Sequence, residues 1–321
     1  MILEVEDLGI EFPTRRGALV AVDGVSFSIA AGEVLGVVGE SGAGKSITGL
    51  AVIGLLEPPG RIAAGEVRLE GRRIDNLPHE EMRRLRGRRI GMVFQDPLTS
   101  LNPLYTVGRQ LEETILTHLG CGREEARRRA LKLLGEVGIP AAQSRFHHYP
   151  HQFSGGMRQR VVIALALAAE PVLVIADEPT TALDVSIQAQ IIALLKRLAA
   201  ERGAAVMLIT HDMGVIAETA HRVAVMYAGR IVEIGPVRDV IHSPQHPYTA
   251  GLMGSIPKIA YSNRTRLVQI DGAMPRLNAI PPGCAFNPRC PKRFARCAVE
   301  RPALMPAATS EAACWLHAAA R

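Results

Sequence analysis

A glycine-rich segment near the start of the chain has the residue types and spacing for binding phosphate. It reads GESGAGKS from Gly39 to Ser46, follows the apolar run at 34–38 and precedes a helical pattern. Glycines let a backbone wrap closely around phosphate, and loop amides at a helix N-terminus offer partial positive charge. The alternative is a glycine-rich turn without a ligand, but this context favours a nucleotide. Lys45 is predicted to reach its β- and γ-phosphates and Ser46 to ligate Mg²⁺; the predicted contact residues are Gly39, Glu40, Ser41, Gly42, Ala43, Gly44, Lys45 and Ser46.

Two adjacent carboxylates provide a second chemical feature. Asp177 and Glu178 follow the apolar strand pattern at 172–176. Acids at strand ends are common, but downstream of a phosphate loop they indicate phosphoryl transfer, which needs charge neutralisation and an oriented nucleophile. Asp177 is predicted to hold Mg²⁺, directly or through water, and Glu178 to polarise the attacking water.

Alternating strand and helix patterns would position these residues. Strands are predicted at 2–12, 20–30, 34–38, 66–69, 90–94, 172–176, 205–209, 223–226 and 231–234, and helices at 47–56, 124–137 and 187–200. Strand–glycine loop–helix units predict an α/β fold with a mostly parallel sheet covered by helices. A helical block at about 100–169 interrupts the sheet pattern and is predicted to be an inserted subdomain. Proline becomes frequent after about residue 240, where we predict a domain boundary.

Composition limits the class of protein. The 321 residues are 48% hydrophobic and 21% charged, as is ordinary for a globular protein. The longest apolar stretch, 161–176, is split by Glu170 and Pro171, so no spanning helix of about 20 apolar residues is predicted. The acidic N-terminus lacks the basic region of a signal peptide. We therefore expect a cytoplasmic protein that reaches a membrane only by docking on one.

Basic residues form two clusters in a chain of net charge +6. The clusters lie at 83–89 and 127–129. Such a field could attract nucleic acid, anionic lipid or an acidic partner. Neither cluster contains interleaved aromatic residues for base stacking, so a solvated helix face is favoured and no nucleic-acid partner is expected.

Four of the five cysteines lie in the last 40 residues. Their pattern is Cys284-x₅-Cys290-x₆-Cys297-x₁₆-Cys314, whereas Cys121 stands alone. Without a secretion signal, clustered cysteines favour a metal over disulfides. Thiolates suit Zn²⁺ or an iron–sulfur cluster, but the usual closely spaced zinc pairs are absent and the wider spacings suit a larger cluster. Zinc and uncoordinated cysteines stay as alternatives, and the expected role is structural.

A third glycine motif carries a family resemblance. Phe153 to Met157 reads FSGGM upstream of the acid pair, with Ser154 as a candidate N-cap of an apolar helix. With the phosphate loop and acid pair, it resembles the signature of the ATP-binding-cassette ATPases, usually written LSGGQ. The resemblance implies a P-loop NTPase fold with a RecA-like parallel sheet core, an antiparallel β subdomain, an inserted helical subdomain and here a small irregular cysteine-rich extension. It also implies that Ser154, Gly155 and Gly156 contact the γ-phosphate of ATP held by the opposite subunit of a head-to-tail dimer.

Other positions of that family match in order. Gln95 resembles the glutamine that senses Mg²⁺ and water, Asp184 resembles the aspartate after the acid pair, and His211 resembles the histidine that touches the γ-phosphate. Phe12 lies where the family places an aromatic ring that stacks on adenine. Taken from the residues alone, His211 could equally be a satisfied histidine at a strand end.

The resemblance can be narrowed. QDPLTSLNP from Gln95, HDM from His211 and SPQHPYT from Ser243 resemble the D-type ATPase subunits of the dipeptide/oligopeptide permease family, over nearly the whole chain. It implies a cassette at 1–240 and an extension at 241–321 that binds a 4Fe–4S cluster. It also implies a homologous second ATPase, two membrane permease subunits, a substrate-binding protein, and a peripheral place at the cytoplasmic face of the inner membrane. ATP hydrolysis would drive peptide uptake, with 95–107 as part of the permease docking groove.

Two other functions are compatible with parts of the sequence. A soluble cassette ATPase acting on nucleic acid or ribosomes would use the arginine clusters, but such proteins commonly carry two cassettes or a long coiled coil, and this chain has one cassette and no sustained heptads. A switch that binds ATP without hydrolysis is disfavoured by Glu178 and His211. The cargo is not predicted by the residues themselves, since relatives could carry nickel, haem, glutathione or sugars.

Overall fold

The computed structural model describes residues 1–15, 17–180, 184–255 and 269–318, with the backbone alone at Val185. The chain forms two compact units, each built from several segments. The first comprises Met1–Glu4, Ser28–Val34 and Arg68–Ile209, and the second comprises Val5–Phe27, Leu35–Val67 and Thr210–Arg321. No helix of the described ranges is both long and apolar enough to cross a bilayer.

Strands occur throughout the chain. In the described residues they are β1 (Leu3–Thr14), β2 (Gly17–Ile29), β3 (Val34–Val38), β4 (Arg61–Leu69), β5 (Arg72–Arg73), β6 (Ile90–Val93), β7 (Leu173–Asp177), β8 (Ala205–Ile209), β9 (Arg222–Tyr227), β10 (Arg230–Pro236), β11 (Met305–Ala307) and β12 (Ser310–Ala312).

Helices alternate with these strands. They are α1 (Lys45–Val52), α2 (His79–Leu85), α3 (Pro97–Ser100), α4 (Val107–Leu119), α5 (Arg123–Glu136), α6 (Ala142–Arg145), α7 (Gly155–Leu167), α8 (Val185–Arg202), α9 (Met213–Thr219), α10 (Val237–His242), α11 (Pro247–Gly254) and α12 (Ala295–Val299).

The first unit contains a parallel array of β6, β7 and β8. Ile90 pairs with Leu173, and Leu173 pairs with Ala205. Every residue of β7 and β8 is buried, as expected for parallel strands covered on both faces. Helices α4, α5 and α7 form the predicted inserted helical region, and their shared core includes Leu111, Ile115, Ala126, Ala130 and Leu134.

The second unit contains the strand that leads into the glycine-rich loop. β3 pairs in parallel with β9, and β9 and β10 pair in antiparallel fashion. β10 then pairs with β12, and β12 with β11, so the last strands of the described chain extend the sheet of this unit. β1 and β2 are neighbours in a separate sheet, and in the first unit Arg68 of β4 pairs with Arg73 of β5 in antiparallel fashion.

The structure confirms the predicted α/β class and changes several predicted boundaries. Helix α1 ends at Val52, and not at residue 56, because Gly54 adopts φ +67, which a helix cannot continue through. Strand β4 begins at Arg61, before the predicted residue 66. Its first half is largely exposed and does not alternate between apolar and polar residues, so the hydrophobic pattern did not mark it as a strand. The predicted irregular extension, 241–321, contains α11, α12, β11 and β12 in its described part.

Candidate functional site

The glycine-rich loop adopts a backbone that only glycines fit. β3 is fully buried and delivers the chain to Gly39, where φ is +153. A Cβ at Gly39 would lie 2.2 Å from the carbonyl oxygen of Met226. Gly44, at φ +104, is the N-cap of α1. The loop therefore curls at the N-terminus of a helix, which is the arrangement that binds phosphate.

Lys45 lies across this loop. Its Nζ donates to the carbonyl oxygen of Gly39 at 2.8 Å and to that of Glu40 at 3.0 Å. The side chain is 6% exposed. An ammonium group thus shares the loop with the first backbone amides of α1, and Ser46 follows in the first turn of that helix. The combination provides a concentrated positive potential for a phosphate chain.

Glu40 of the loop is gripped by two residues far along the chain. Its backbone N–H donates to the hydroxyl of Tyr248 at 2.9 Å. Its carboxylate accepts two hydrogen bonds from Arg289 Nη1, at 3.0 Å and 3.1 Å. Arg289 also donates to the Tyr227 hydroxyl at 3.3 Å. No spacing pattern in the sequence signals these contacts, because Tyr248 and Arg289 each lie more than 200 positions from Glu40.

His211 belongs to the second unit and directly follows Thr210, which contacts the strand that leads to the loop. The backbone N–H of Thr210 donates to the carbonyl oxygen of Val37 at 3.1 Å. Asp212 caps α9 by accepting the N–H of Gly214 at 2.8 Å. These two anchors fix the backbone on either side of the exposed imidazole.

Phe12 lies in β1 with its ring against Gly60. A Cβ at Gly60 would come within 2.7 Å of Phe12 Cε1, so the ring uses the space that the glycine leaves. The ring is partly exposed. Stacking of Phe12 on adenine stays a prediction.

The predicted acid pair ends β7 in the first unit. Asp177 is 8% exposed, and Glu178 has φ +45, a left-handed conformation that is uncommon outside glycine. The N–H of Glu178 donates to the carbonyl oxygen of Ile209 at 2.8 Å. Gln95 Nε2 donates to Glu178 Oε2 at 3.3 Å, so the structure joins two residues that the sequence analysis assigned to hydrolysis. Such local strain is typical of functional sites.

The FSGGM segment begins helix α7. Ser154 is the N-cap, and its hydroxyl accepts the N–H of Met157 at 3.4 Å. Ser154 and Gly155 are exposed, whereas Phe153 is 3% exposed and anchors the turn in the core. Gly156 lies so close to α8 that a Cβ there would be 2.7 Å from Ile187 Cγ2. The turn therefore presents a helix N-terminus to the surface.

Asp184 is the exposed N-cap residue of α8 in the first unit. Its side chain makes no capping hydrogen bond. The role that the resemblance implies for Asp184 stays a prediction.

The four cysteines of the extension line one small cavity, together with His246 and Phe286. Cys284 N–H donates to the carbonyl oxygen of Cys297 at 2.9 Å. Burial raises the pKa of the Cys284 thiol to about 11 and also raises the pKa of Cys290 and of Cys314. Among the described residues, no three histidine, cysteine or acidic side chains are grouped for a single metal ion.

His246 borders this cavity as a neutral ring. Burial lowers its pKa to about 3, with a smaller contribution from His317. Its Nδ1 accepts the N–H of Tyr248 at 3.1 Å. Phe286 packs on Tyr248 with ring centroids 5.4 Å apart, so the wall of the cysteine cavity and the residue that holds Glu40 are in direct contact.

At least four of the eight arginines in the two clusters pair with neighbouring acids. The pairs are Arg83–Glu80, Arg89–Glu70, Arg128–Glu125 and Arg129–Glu125. This pairing favours the solvated-face interpretation over a nucleic-acid surface.

Comparison with known proteins agrees with these features. Residues 22–181 match the family described as "ABC transporter", and residues 232–297 match "Oligopeptide/dipeptide transporter, C-terminal region". The dipeptide transport ATP-binding protein DppD of Escherichia coli K12 is 48% identical over 94% of this chain and 92% of its own length. The oligopeptide transport ATP-binding protein OppD of Salmonella typhimurium is 49% identical over 92% of this chain and 88% of its own.

Solved structures give the same fold. A dimeric structure of the ATP-binding cassette MJ0796, described as a post-hydrolysis state bound to ADP and Pi, superposes with a TM-score of 0.66. It shares 30% identity and covers 74% of this chain and 99% of its own. The fold, the phosphate loop and the acid pair thus define an ABC-type ATPase. The chain belongs to the ABC transporter family, among the ATP-binding subunits of the dipeptide/oligopeptide type.

Proposed function

We propose that this chain is the ATP-hydrolysing subunit of an importer for dipeptides or oligopeptides. The geometry of the phosphate loop is the observation on which the proposal depends: a glycine N-cap at Gly44 starts α1, and the Lys45 ammonium lies over the loop carbonyls. The peptide cargo rests on the relatives, whose printed names are dipeptide and oligopeptide transport proteins.

The nucleotide would be bound through this loop. Its amides and Lys45 would hold the β- and γ-phosphates, and Phe12 would stack on adenine. By the family resemblance, the Ser46 hydroxyl, the Asp177 carboxylate and the Gln95 amide oxygen would be ligands of Mg²⁺, and oxygen donors are the ligands that this ion prefers. When bound, Mg²⁺ would neutralise charge on the transferred phosphoryl group.

Glu178 would be the general base. Its carboxylate would orient and polarise a water for attack on the γ-phosphate, and the contact with Gln95 at 3.3 Å supports a shared role. His211 would contact the γ-phosphate from the end of β8. The left-handed backbone of Glu178 supports this assignment, because it turns the residue away from the direction of Asp177 at the end of the buried strand.

A second ATPase subunit would complete each site. The exposed turn at Ser154, Gly155 and Gly156 would face the γ-phosphate bound by the opposite subunit, and Asp184 would lie at the same interface. The relatives' dimeric cassette structures support this arrangement. We infer that the partner is a homologous ATPase in a heterodimer.

The cysteine extension would hold a 4Fe–4S cluster. The four thiols border one cavity, which supports this proposal, and Zn²⁺ is the second choice. When bound, the cluster would cross-link segments whose sequence has few apolar runs, so its expected role is structural. The residues that would ligate it are Cys284, Cys290, Cys297 and Cys314.

The remaining partners follow from the importer assignment. Two membrane permease subunits and a substrate-binding protein would complete the machine, with this chain peripheral to the inner membrane on its cytoplasmic face. The exposed side chains of Leu98 (62%) and Leu104 (79%), within the predicted docking stretch 95–107, support contact with a permease.

Co-purification tests the assignment directly. Tagged protein should be recovered from detergent-solubilised membranes with two membrane subunits and a second ATPase, and ATP hydrolysis by that assembly should increase when peptide-loaded binding protein is added. A matched variant, Leu104→Asp, should lose the membrane subunits while retaining nucleotide binding. Recovery with RNA or DNA, and no membrane subunit, would instead support an ATPase acting on nucleic acid.

A further inference from the structure

Three side chains surround Glu40, and we call them the Glu40 clamp: Tyr227, Tyr248 and Arg289. The Tyr248 hydroxyl accepts the Glu40 N–H at 2.9 Å, and Arg289 donates two hydrogen bonds to the Glu40 carboxylate. Arg289 Nη1 also donates to the Tyr227 hydroxyl at 3.3 Å. All of these residues belong to the second unit. The clamp thus fixes both the backbone and the side chain of one residue of the phosphate loop.

The ion pair at the centre of the clamp is largely desolvated. The Arg289 side chain is 8% exposed and that of Glu40 is 28% exposed. The guanidinium also lies over the rings of Tyr227 and Phe286, 5.8 Å and 5.9 Å from their centroids. A buried charge that loses its partner is strongly unfavourable, so Arg289 constrains Glu40 far more than a surface ion pair would.

The other side of the clamp is the cysteine extension. Arg289 is adjacent to Cys290, and its Nε donates to the carbonyl oxygen of Asp271 at 2.9 Å. Phe286 lines the cysteine cavity and packs on both Tyr227 and Tyr248, with ring centroids at 5.3 Å and 5.4 Å. A shift in the extension therefore moves the groups that hold Glu40.

We propose that the Glu40 clamp links the order of the cysteine extension to nucleotide affinity, with Arg289 as a positioning residue for the phosphate loop. The inference rests on the proposed function, since its ligand is the nucleotide of that loop. The Glu40 N–H donates to Tyr248 and not to a phosphate, so the clamp positions the start of the loop. The backbone amides that follow Glu40 would bind the phosphate. Because the coupling free energy is the same in both directions, bound nucleotide should shift the equilibrium of the extension toward its ordered state by the same factor.

The Kd for ATP of the full-length protein tests whether the clamp affects nucleotide affinity. Arg289→Met should raise the Kd for ATP about tenfold, a typical size for coupling between two sites. Arg289→Lys should restore part of the affinity, because it keeps the charge but loses the two-point contact. The matched control is Arg296→Met, at an arginine of the same extension that is outside the clamp. The Arg296 Cζ lies 3.6 Å from the centroid of the Trp315 ring.

Tyr248→Phe is a second test variant, which separates loss of the clamp from general misfolding of Arg289→Met. It keeps the ring that packs on Tyr227 and Phe286 and removes only the hydroxyl that accepts the Glu40 N–H. Like Arg289→Met, it should raise the Kd for ATP, but with little change in thermal stability. Unchanged Kd in both Arg289→Met and Tyr248→Phe would overturn the inference.

Hydrogen–deuterium exchange tests the reciprocal half without using activity. In wild-type protein, ATP should slow exchange of the amides at 284–299, and Arg289→Met should abolish that protection while Arg296→Met retains it. Protection that survives in Arg289→Met would overturn the inference and leave the proposed function intact. Failure of the wild-type protein to bind ATP, with Lys45→Ala as the negative reference, would overturn the proposed function itself.

Discussion

At the residue scale, the most informative observation is the strained backbone of Glu178. A left-handed φ at a residue other than glycine costs on the order of 1 kcal/mol, which interactions with the surrounding structure must offset. Here a hydrogen bond from the Glu178 N–H to Ile209 fixes the conformation, and Gln95 contacts the carboxylate. The carboxylate is therefore directed by its backbone as well as by its side-chain partner.

This predicts a separable loss of hydrolysis in Glu178→Gln. The amide keeps the shape but cannot accept a proton, so the rate of ATP hydrolysis should fall by roughly 100-fold or more while ATP binding persists. ATP should then stabilise a dimer, which size-exclusion chromatography with ATP would detect.

The matched control is Glu170→Gln, at a surface glutamate of φ +55 that pairs with Arg129. It should hydrolyse ATP at the wild-type rate. A near wild-type rate in Glu178→Gln would show that another group activates the water.

Local spacing predicted local structure: Ser154 is the N-cap of α7 and the glycine-rich loop leads into α1, while the functional roles of these residues stay predictions. The phosphate loop, the acid pair and the N-cap Ser154 each follow from a short run of neighbouring residue types. The grip on Glu40 by Tyr248 and Arg289 was missed, because a contact between distant segments depends on the tertiary fold and leaves no local pattern.

At the element scale, the close approach of α7 and α8 is set by one glycine. A Cβ at Gly156 would lie 2.7 Å from Ile187 Cγ2, so the two helices can be this near only without a side chain there. The turn that is proposed to face a partner's nucleotide is therefore also a packing point.

Gly156→Ala should accordingly destabilise the protein, by about 1–3 kcal/mol, because overpacking forces α8 to move. The control is Gly135→Ala in α5, where an added Cβ meets nothing within 4 Å. That change should stabilise the helix by roughly 0.5–1 kcal/mol. Chemical denaturation of both variants measures the difference, and equal stabilities would contradict the packing argument.

Element boundaries were less predictable than element types. Helix α1 stops at Val52 because of the left-handed Gly54, although the apolar pattern continues beyond it. Strand β4 starts in an exposed, mixed segment where alternation is weak. In both cases backbone geometry or strand pairing overrode the hydrophobic pattern on which the prediction relied.

At the scale of the whole molecule, the cysteine extension is an integral part of the second unit. Its thiols border a cavity whose wall, Phe286, packs against Tyr227 of β9. The division at residue 240 stays a prediction.

Metal analysis tests the proposed cluster. Anaerobically purified protein should be brown and contain iron and acid-labile sulfide, and Cys297→Ser should lose both and unfold at a lower temperature, because cluster binding contributes to folding. Cys121→Ser, outside the set, should retain the colour. Colourless protein with one equivalent of zinc would favour the second choice, and metal-free protein would contradict both.

The antiparallel pairing of β10 with β12 has a consequence for any shortened form of the chain. Glu233 pairs with Ala312, and the buried Glu233 carboxylate also accepts the N–H groups of Gln245 and His246. A fragment that stopped before Met305 would leave the backbone donors and acceptors of β10 without their neighbour along a buried strand. Open strand edges of this kind recruit other chains. Removal of β11 and β12 would thus expose an edge of β10 that β12 covers in the described chain, and the shortened protein should be more prone to aggregate.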